Sequence, residues 1–121
     1  MDIRKLQKIV VSALEDIKGK EIEVINTTKL TSMFDRLVIA TGDSNRQVKA
    51  LARNVQEKVR EAGAEVLSVE GEESGEWVLV DLGDIIVHVM QPTVRQDYNL
   101  EELWQATPAQ RRKAVEQAAG E

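Results

Sequence analysis

The sequence predicts a single α/β domain: a mixed five-stranded sheet with two long helices packed on one face, in the order αββαβββα. Three observations predict it. Two segments repeat apolar residues every three and four positions. Two strand-like runs flank Gly83-Asp84. The chain has 121 residues, and two cores of about 60 residues each would be marginal alone.

Residues 3–18 read as the first helix, with Ile3, Leu6, Ile9, Val10, Ala13, Leu14 and Ile17 on one stripe and Gly19 as the stop. Glu21 to Ile25 alternates polar and apolar, as a half-buried strand does. Leu37-Val38-Ile39-Ala40 is a short continuous apolar run, suited to a central strand buried on both sides. Ser44 and Gln47 have capping-box spacing and open the second helix. Val48, Leu51, Ala52, Val55, Val59 and Ala62 line that helix's buried face, and Gly63 ends it. Glu65 to Val69 reads as a strand, and Glu70 to Glu76 as an acidic loop.

Trp77–Leu82 and Ile85–Met90 form a hairpin. Glycine first in a two-residue loop suits a type II′ turn, which sets Leu82 opposite Ile85, Val80 opposite Val87 and Val78 opposite Val89. Alternation then sorts the side chains. Val78, Val80, Leu82, Ile85, Val87 and Val89 make one wholly apolar face, expected under the helices. Trp77, Leu79, Asp81, Ile86, His88 and Met90 make the other. Two helices cannot cover both faces of five strands, so this second face is expected to be at least partly open, as partner surfaces are. Beyond Pro92, Asn99 is a candidate cap for a short helical turn. Residues 105–121 are expected to be a tail, with a short mobile helix over 108–119 started at Thr107-Pro108, beyond a domain spanning residues 1–104.

Composition narrows the function. There is no cysteine, which excludes disulfides, thiol catalysis and zinc-thiolate sites. No apolar run approaches the ~20 residues of a membrane span. Met1-Asp2-Ile3-Arg4-Lys5 leads straight into an amphipathic pattern, so the expected compartment is the cytosol. Net charge is −5, which argues against a general nucleic-acid binder. Residues 1–60 carry 12 basic and 8 acidic side chains. Residues 61–104 carry 11 acids and one base, Arg95. The acidic half reads either as a solvated surface or as one steered toward a basic protein partner.

Catalytic signals are thin. Thr41-Gly42-Asp43-Ser44 precedes a helix N-terminus, where amides hold anions, but it has neither a Walker lysine nor G-x-G-x-x-G. It reads as an ordinary capped turn or, alternatively, as the phosphate site of a nucleotide-using enzyme. Asp81 and Asp84 straddle the turn and make a poor metal pair. His88 is the only histidine, with no obvious nucleophile and no second imidazole; it reads as a hydrogen-bonding surface or half-buried histidine or, alternatively, as a general base or ligand. Trp77 and Trp104 are either core residues or interface anchors. A homodimeric scaffold is a third reading.

Asp35 to Val48, Val69-Glu-Gly71, Trp77 to Met90, and Arg95 with Tyr98-Asn-Leu-Glu-Glu-Leu-Trp104 together resemble the ribosomal silencing factor, or Iojap-like, family. The resemblance covers about residues 3–104; Asp97 departs from it, at a position where the family usually has an aromatic or aliphatic residue. It implies a domain similar to a stripped nucleotidyltransferase fold, without the transferases' D-x-D metal pair, often homodimeric and with no enzymatic role. It also implies a cytosolic factor that binds the large ribosomal subunit through ribosomal protein number fourteen on the joining face. Such a factor blocks small-subunit association and represses translation when nutrients are scarce. No cofactor, metal or membrane is implied. The contact set expected on this reading is Trp77, Asp81, Asp84, His88, Tyr98, Leu100, Glu101, Leu103 and Trp104. Trp77 and the Tyr98–Trp104 segment would be apolar anchors; Asp81, Asp84 and Glu101 would meet lysines or arginines; His88 would be a hydrogen-bond contact.

Overall fold

The structure, a computed structural model, describes residues 1–105. The elements run α1 (Ile3–Asp16), β1 (Lys20–Asn26), β2 (Arg36–Thr41), α2 (Asn45–Glu61), β3 (Ser68–Glu70), β4 (Trp77–Asp81), β5 (Ile85–Met90), α3 (Pro92–Tyr98) and α4 (Leu100–Gln105). The helix expected over 108–119 lies outside the described residues.

The apolar stripe of each long helix finds the partner its periodicity demands. Asp2 caps α1 by accepting from the Arg4 amide, and Ser44 caps α2 by accepting from the Gln47 amide. Lys18, at φ 60°, ends α1 two residues earlier than the apolar repeat suggests. Leu6, Val10, Ala13 and Leu14 of α1 meet Val48, Leu51, Ala52, Val55 and Val59 of α2 over one side of the sheet. The Asn54 side chain donates to the Ala13 carbonyl at 2.7 Å and ties the two helices together.

The sheet order is β1-β2-β5-β4-β3, antiparallel except for the parallel pair β2–β5. β2 lies inside the sheet between β1 and β5, the central strand, and Leu37, Val38, Ile39 and Ala40 are all buried, as a run without polar residues requires. The hairpin has the expected register: Val78 pairs with Val89 and Val80 with Val87, and Leu82 donates to the Ile85 carbonyl at 2.9 Å. Gly83 sits at φ +89°, the left-handed first position that a type II′ turn needs. The six apolar residues of the first hairpin face all enter the core beneath α1 and α2.

Two expectations need correction. β3 is shorter and later than the Glu65–Val69 strand, because only Ser68, Val69 and Glu70 find partners on β4. The second sheet face is less open than expected. α3 was not foreseen, and with α4 it folds back over part of that face, making the order αββαβββαα. Pro92 starts α3 at its first helical position, and Asn99, at φ 46°, ends it and turns the chain into α4. A second apolar cluster results: Ile25, Leu37, Ile39 and Met90 lie beneath Val94, Leu100 and Trp104, with Phe34 and Trp77 beside them.

Gly71 is a sharp test of the loop before β4. It lies at φ +87°, and a Cβ there would stand 2.0 Å from the Trp77 carbonyl oxygen. Gly71→Ala is expected to lower unfolding stability by about 2 kcal/mol or more in urea titrations. Gly63→Ala, at φ +86° but with open space around it, is expected to lose only about 1 kcal/mol.

Candidate protein-docking face

The site sits on the sheet face away from α1 and α2. There the register lines up Ile86 and His88 of β5, Trp77, Leu79 and Asp81 of β4, and Ser68 and Glu70 of β3. α3 and α4 cover the β1–β2 side of this face. Across β4 and β3, Trp77, Leu79 and Asp81 remain half-buried and Ser68 and Glu70 exposed. The open part is thus a strip with an apolar centre and acidic flanks, Asp84 standing exposed at the hairpin tip.

His88 does not reach the surface as a free hydrogen-bond group. It is 8% exposed, and its Nδ1 accepts from the Trp77 indole Nε1–H at 2.9 Å. That bond requires Nδ1 to be unprotonated, which places the proton of the neutral ring on Nε2. Burial pushes the imidazole pKa from 6.5 down to about 4. The histidine is therefore the buried prop of Trp77. Trp77 in turn packs against Tyr98, with ring centroids 4.8 Å apart at an angle of 50°. Tyr98 is 61% exposed, so the aromatic pair emerges at the surface through the tyrosine.

The remaining expected contact residues separate into two groups. Asp84 is free at the tip; its carbonyl oxygen accepts from the Asp35 and Arg36 amides at 2.8 and 3.1 Å. Leu103 is half-buried on α4. Against these, Leu100 and Trp104 serve the second apolar cluster, Trp104 standing edge-on to Phe34 at 5.2 Å. Asp81 spends an oxygen on the Gly83 amide at 2.8 Å, stiffening the turn. Glu101 pairs with the buried Arg95, whose Nη1 also donates to Thr41 Oγ1 at 2.8 Å. Glu101 thus already has an intramolecular cation.

Sequence reasoning missed Arg95 as a structural anchor. Its signal was being the lone base between residues 61 and 104. It missed Leu79 and Ile86 as contact candidates too, although the hairpin register had placed both on this face.

The Thr41–Ser44 turn is occupied by its own chain. Thr41 receives Arg95, the Gly42 amide donates to the Met90 carbonyl at 3.0 Å, and the Asp43 amide donates to Gln47 Oε1 at 2.7 Å. Ser44 Oγ is taken by the Gln47 amide at 3.1 Å. Gly42 is also packed against Val48. Among the described residues, no three His, Asp or Glu groups gather as metal ligands, and no helix is long and apolar enough to cross a membrane.

The structure is thus a small α/β domain whose Thr41–Ser44 turn is bonded within its own chain and whose second sheet face keeps an acidic-apolar strip. A family model described as ribosomal silencing factor during starvation matches residues 1–121. A ribosomal silencing factor of Chromobacterium violaceum is 60% identical over 104 residues, 86% of this chain and 85% of that one. A crystal structure of a protein from the same organism has a TM-score of 0.86 at 58% identity, covering 88% of this chain and 89% of that chain. The chloroplastic Iojap protein of Zea mays is 31% identical over 100 residues, 82% of this chain and 43% of its own length. The chain belongs to the ribosomal silencing factor family.

Two outcomes follow. In the unfolded chain His88 takes its proton near pH 6.5; in the fold it resists until about pH 4. Stability is therefore lost as pH falls through that window and is unaffected by this group above about pH 7. Urea unfolding at pH 5 against pH 7 is expected to lose about 1–2 kcal/mol from His88, and His88→Gln is expected to flatten that difference. Glu101→Gln leaves Arg95 buried with its nearest anion removed, Glu21 standing 4.0 Å off. It is expected to lower the urea-unfolding free energy by about 2–3 kcal/mol.

Proposed function

We propose that this chain binds the large ribosomal subunit through a basic ribosomal protein on the joining face, large-subunit protein number fourteen, and represses translation by excluding the small subunit. The observation that carries the reading is the half-open strip of the second sheet face. It has Leu79, Ile86 and the Trp77–Tyr98 pair at its centre and Glu70, Asp81 and Asp84 around it. An apolar, aromatic centre ringed by carboxylates suits a basic protein surface. Membership of the silencing family supports a ribosomal partner.

The mechanism needs no bond-making. Rim carboxylates hasten encounter with a cationic surface, because opposite potentials steer diffusion. The exposed tyrosine, held upright by Trp77 and through it by His88, supplies rigid apolar area at small entropic cost. A rigid domain seated on a joining surface then excludes the second subunit by volume alone. Occupancy, and with it the degree of repression, follows the protein's concentration relative to its dissociation constant. On this reading the protein is regulatory and works in the cytoplasm, and the Thr41–Ser44 turn is structural. Trp104, Leu100 and Glu101 act indirectly, by fixing α4 beside the strip.

Tyr98 separates docking from folding, because its side chain is largely outside the core. Tyr98→Ala is expected to weaken binding to isolated large subunits by about 2 kcal/mol, roughly 30-fold, in sedimentation assays. Its unfolding midpoint should stay close to that of the parent. Asp84→Lys is expected mainly to slow association and to change its salt dependence in stopped-flow measurements. Subunit joining that proceeds unaltered in excess protein would end the proposal.

A further inference from the structure

α2 presents a second, oppositely charged surface on the other layer of the molecule. Arg46, Arg53 and Arg60 are spaced seven residues apart. At 3.6 residues and 5.4 Å per turn, successive arginines are about 10.5 Å apart and all three fall within about 40° of arc. All three are exposed. Lys49 lies on the same side, half-buried beside Gly75. This stripe points away from Val48, Val55 and Val59, which face the core, and from Asn54, which faces α1.

These arginines do nothing visible for the fold. None of the three takes part in an ion pair or side-chain hydrogen bond among the described residues. Arg46 stands in the first turn of α2, where the helix dipole disfavours a cation, and that turn carries no acid to offset it. The helix's two carboxylates do not neutralise the stripe: Glu61 pairs with Lys58 at 3.6 Å, and Glu57 pairs with neither neighbouring arginine. The whole-chain charge of −5 hides this local surface.

We propose that the Arg46–Arg53–Arg60 stripe of α2 docks on an RNA phosphate backbone. Regular spacing on a rigid helix suits a regularly charged polymer. The guanidinium fork is the side chain best shaped for phosphate. The stripe offers no exposed aromatic or aliphatic anchor, which a protein partner would need and a wet, phosphate-dominated contact does not. Contact of this kind carries no sequence preference. It goes beyond the docking of the sheet face and stands on separate residues.

Fluorescence anisotropy with a labelled RNA duplex of arbitrary sequence tests it, using the full chain between about 50 and 200 mM salt. The parent is expected to bind with an affinity that falls steeply with salt. The triple variant Arg46→Glu, Arg53→Glu, Arg60→Glu should bind about tenfold or more weakly. Its log–log salt slope should shrink by about 0.7–0.9 per lost phosphate contact. Triple Arg→Lys should keep most of the binding, and circular dichroism checks that each variant folds. Equal affinity and slope for the parent and the triple Glu variant would overturn the proposal. So would no binding by the parent at the lower salt. Tyr98→Ala in the same RNA assay should match the parent, which keeps this surface's failure distinct from that of the sheet face.

Discussion

The turn at Gly83-Asp84 is the constraint on which the rest depends. A left-handed glycine closes the hairpin in one register, and period-two alternation then decides the fate of twelve side chains together. One face becomes all branched aliphatic and must be covered by α1 and α2. The other receives Trp77, Leu79, Asp81, Ile86, His88 and Met90. The same turn also positions the neighbouring interior strand. The Asp84 carbonyl takes the Asp35 and Arg36 amides just where β2 begins its parallel run beside β5. A slip of one residue would send Val87 outward and His88 into the aliphatic core, so hairpin register, sheet order and the proposed docking face are one decision.

What was legible in the sequence was whatever depended on periodicity. The helical repeats, the uninterrupted apolar run of β2 and the glycine-first hairpin each involve many residues that must agree. α3 was not legible for the opposite reason. Its seven residues contain only Val94 and Tyr98 as large apolar groups, too few to define a face. Its start rests on Pro92 and its end on the left-handed Asn99, signals that also fit a turn followed by another helix. Missing α3 made the second face look emptier than it is. The full burial of Met90 and His88, and the packing of half-buried Leu100 against the second cluster, were missed with it.

Arg95 shows why charge counting fails here. On paper it is one cation among eleven acids. In the fold it is 8% exposed, tied to Thr41 at the end of β2 and to Glu101 on α4, and it fastens the two short helices to the sheet. A guanidinium has five donors and can be buried only where several acceptors converge. That convergence joins residues 54 positions apart, and no local pattern encodes it. The acidic tally shrinks in consequence. Glu101 and Asp81 are spoken for inside the molecule, whereas Glu70 and Asp84 remain exposed toward solvent.

The distribution of polar work fits the proposal that the protein acts by occupying a surface. In a catalytic site a histidine near a carboxylate would keep a titration poised near neutrality and a nitrogen facing substrate. His88 does the reverse: it is desolvated, driven to about 4, and bonded to the tryptophan it supports. The turn before α2 likewise uses its own hydroxyl and amide groups up in capping and packing. What stays available to solvent on the second face is shape and charge: a tyrosine braced by an indole, half-buried aliphatics across β4 and β5, and carboxylates at the margin. Such a surface makes no demand on reacting atoms and every demand on rigidity. The half-buried Trp77–His88 bond and the Arg95 clamp answer that demand from the two sides of the face.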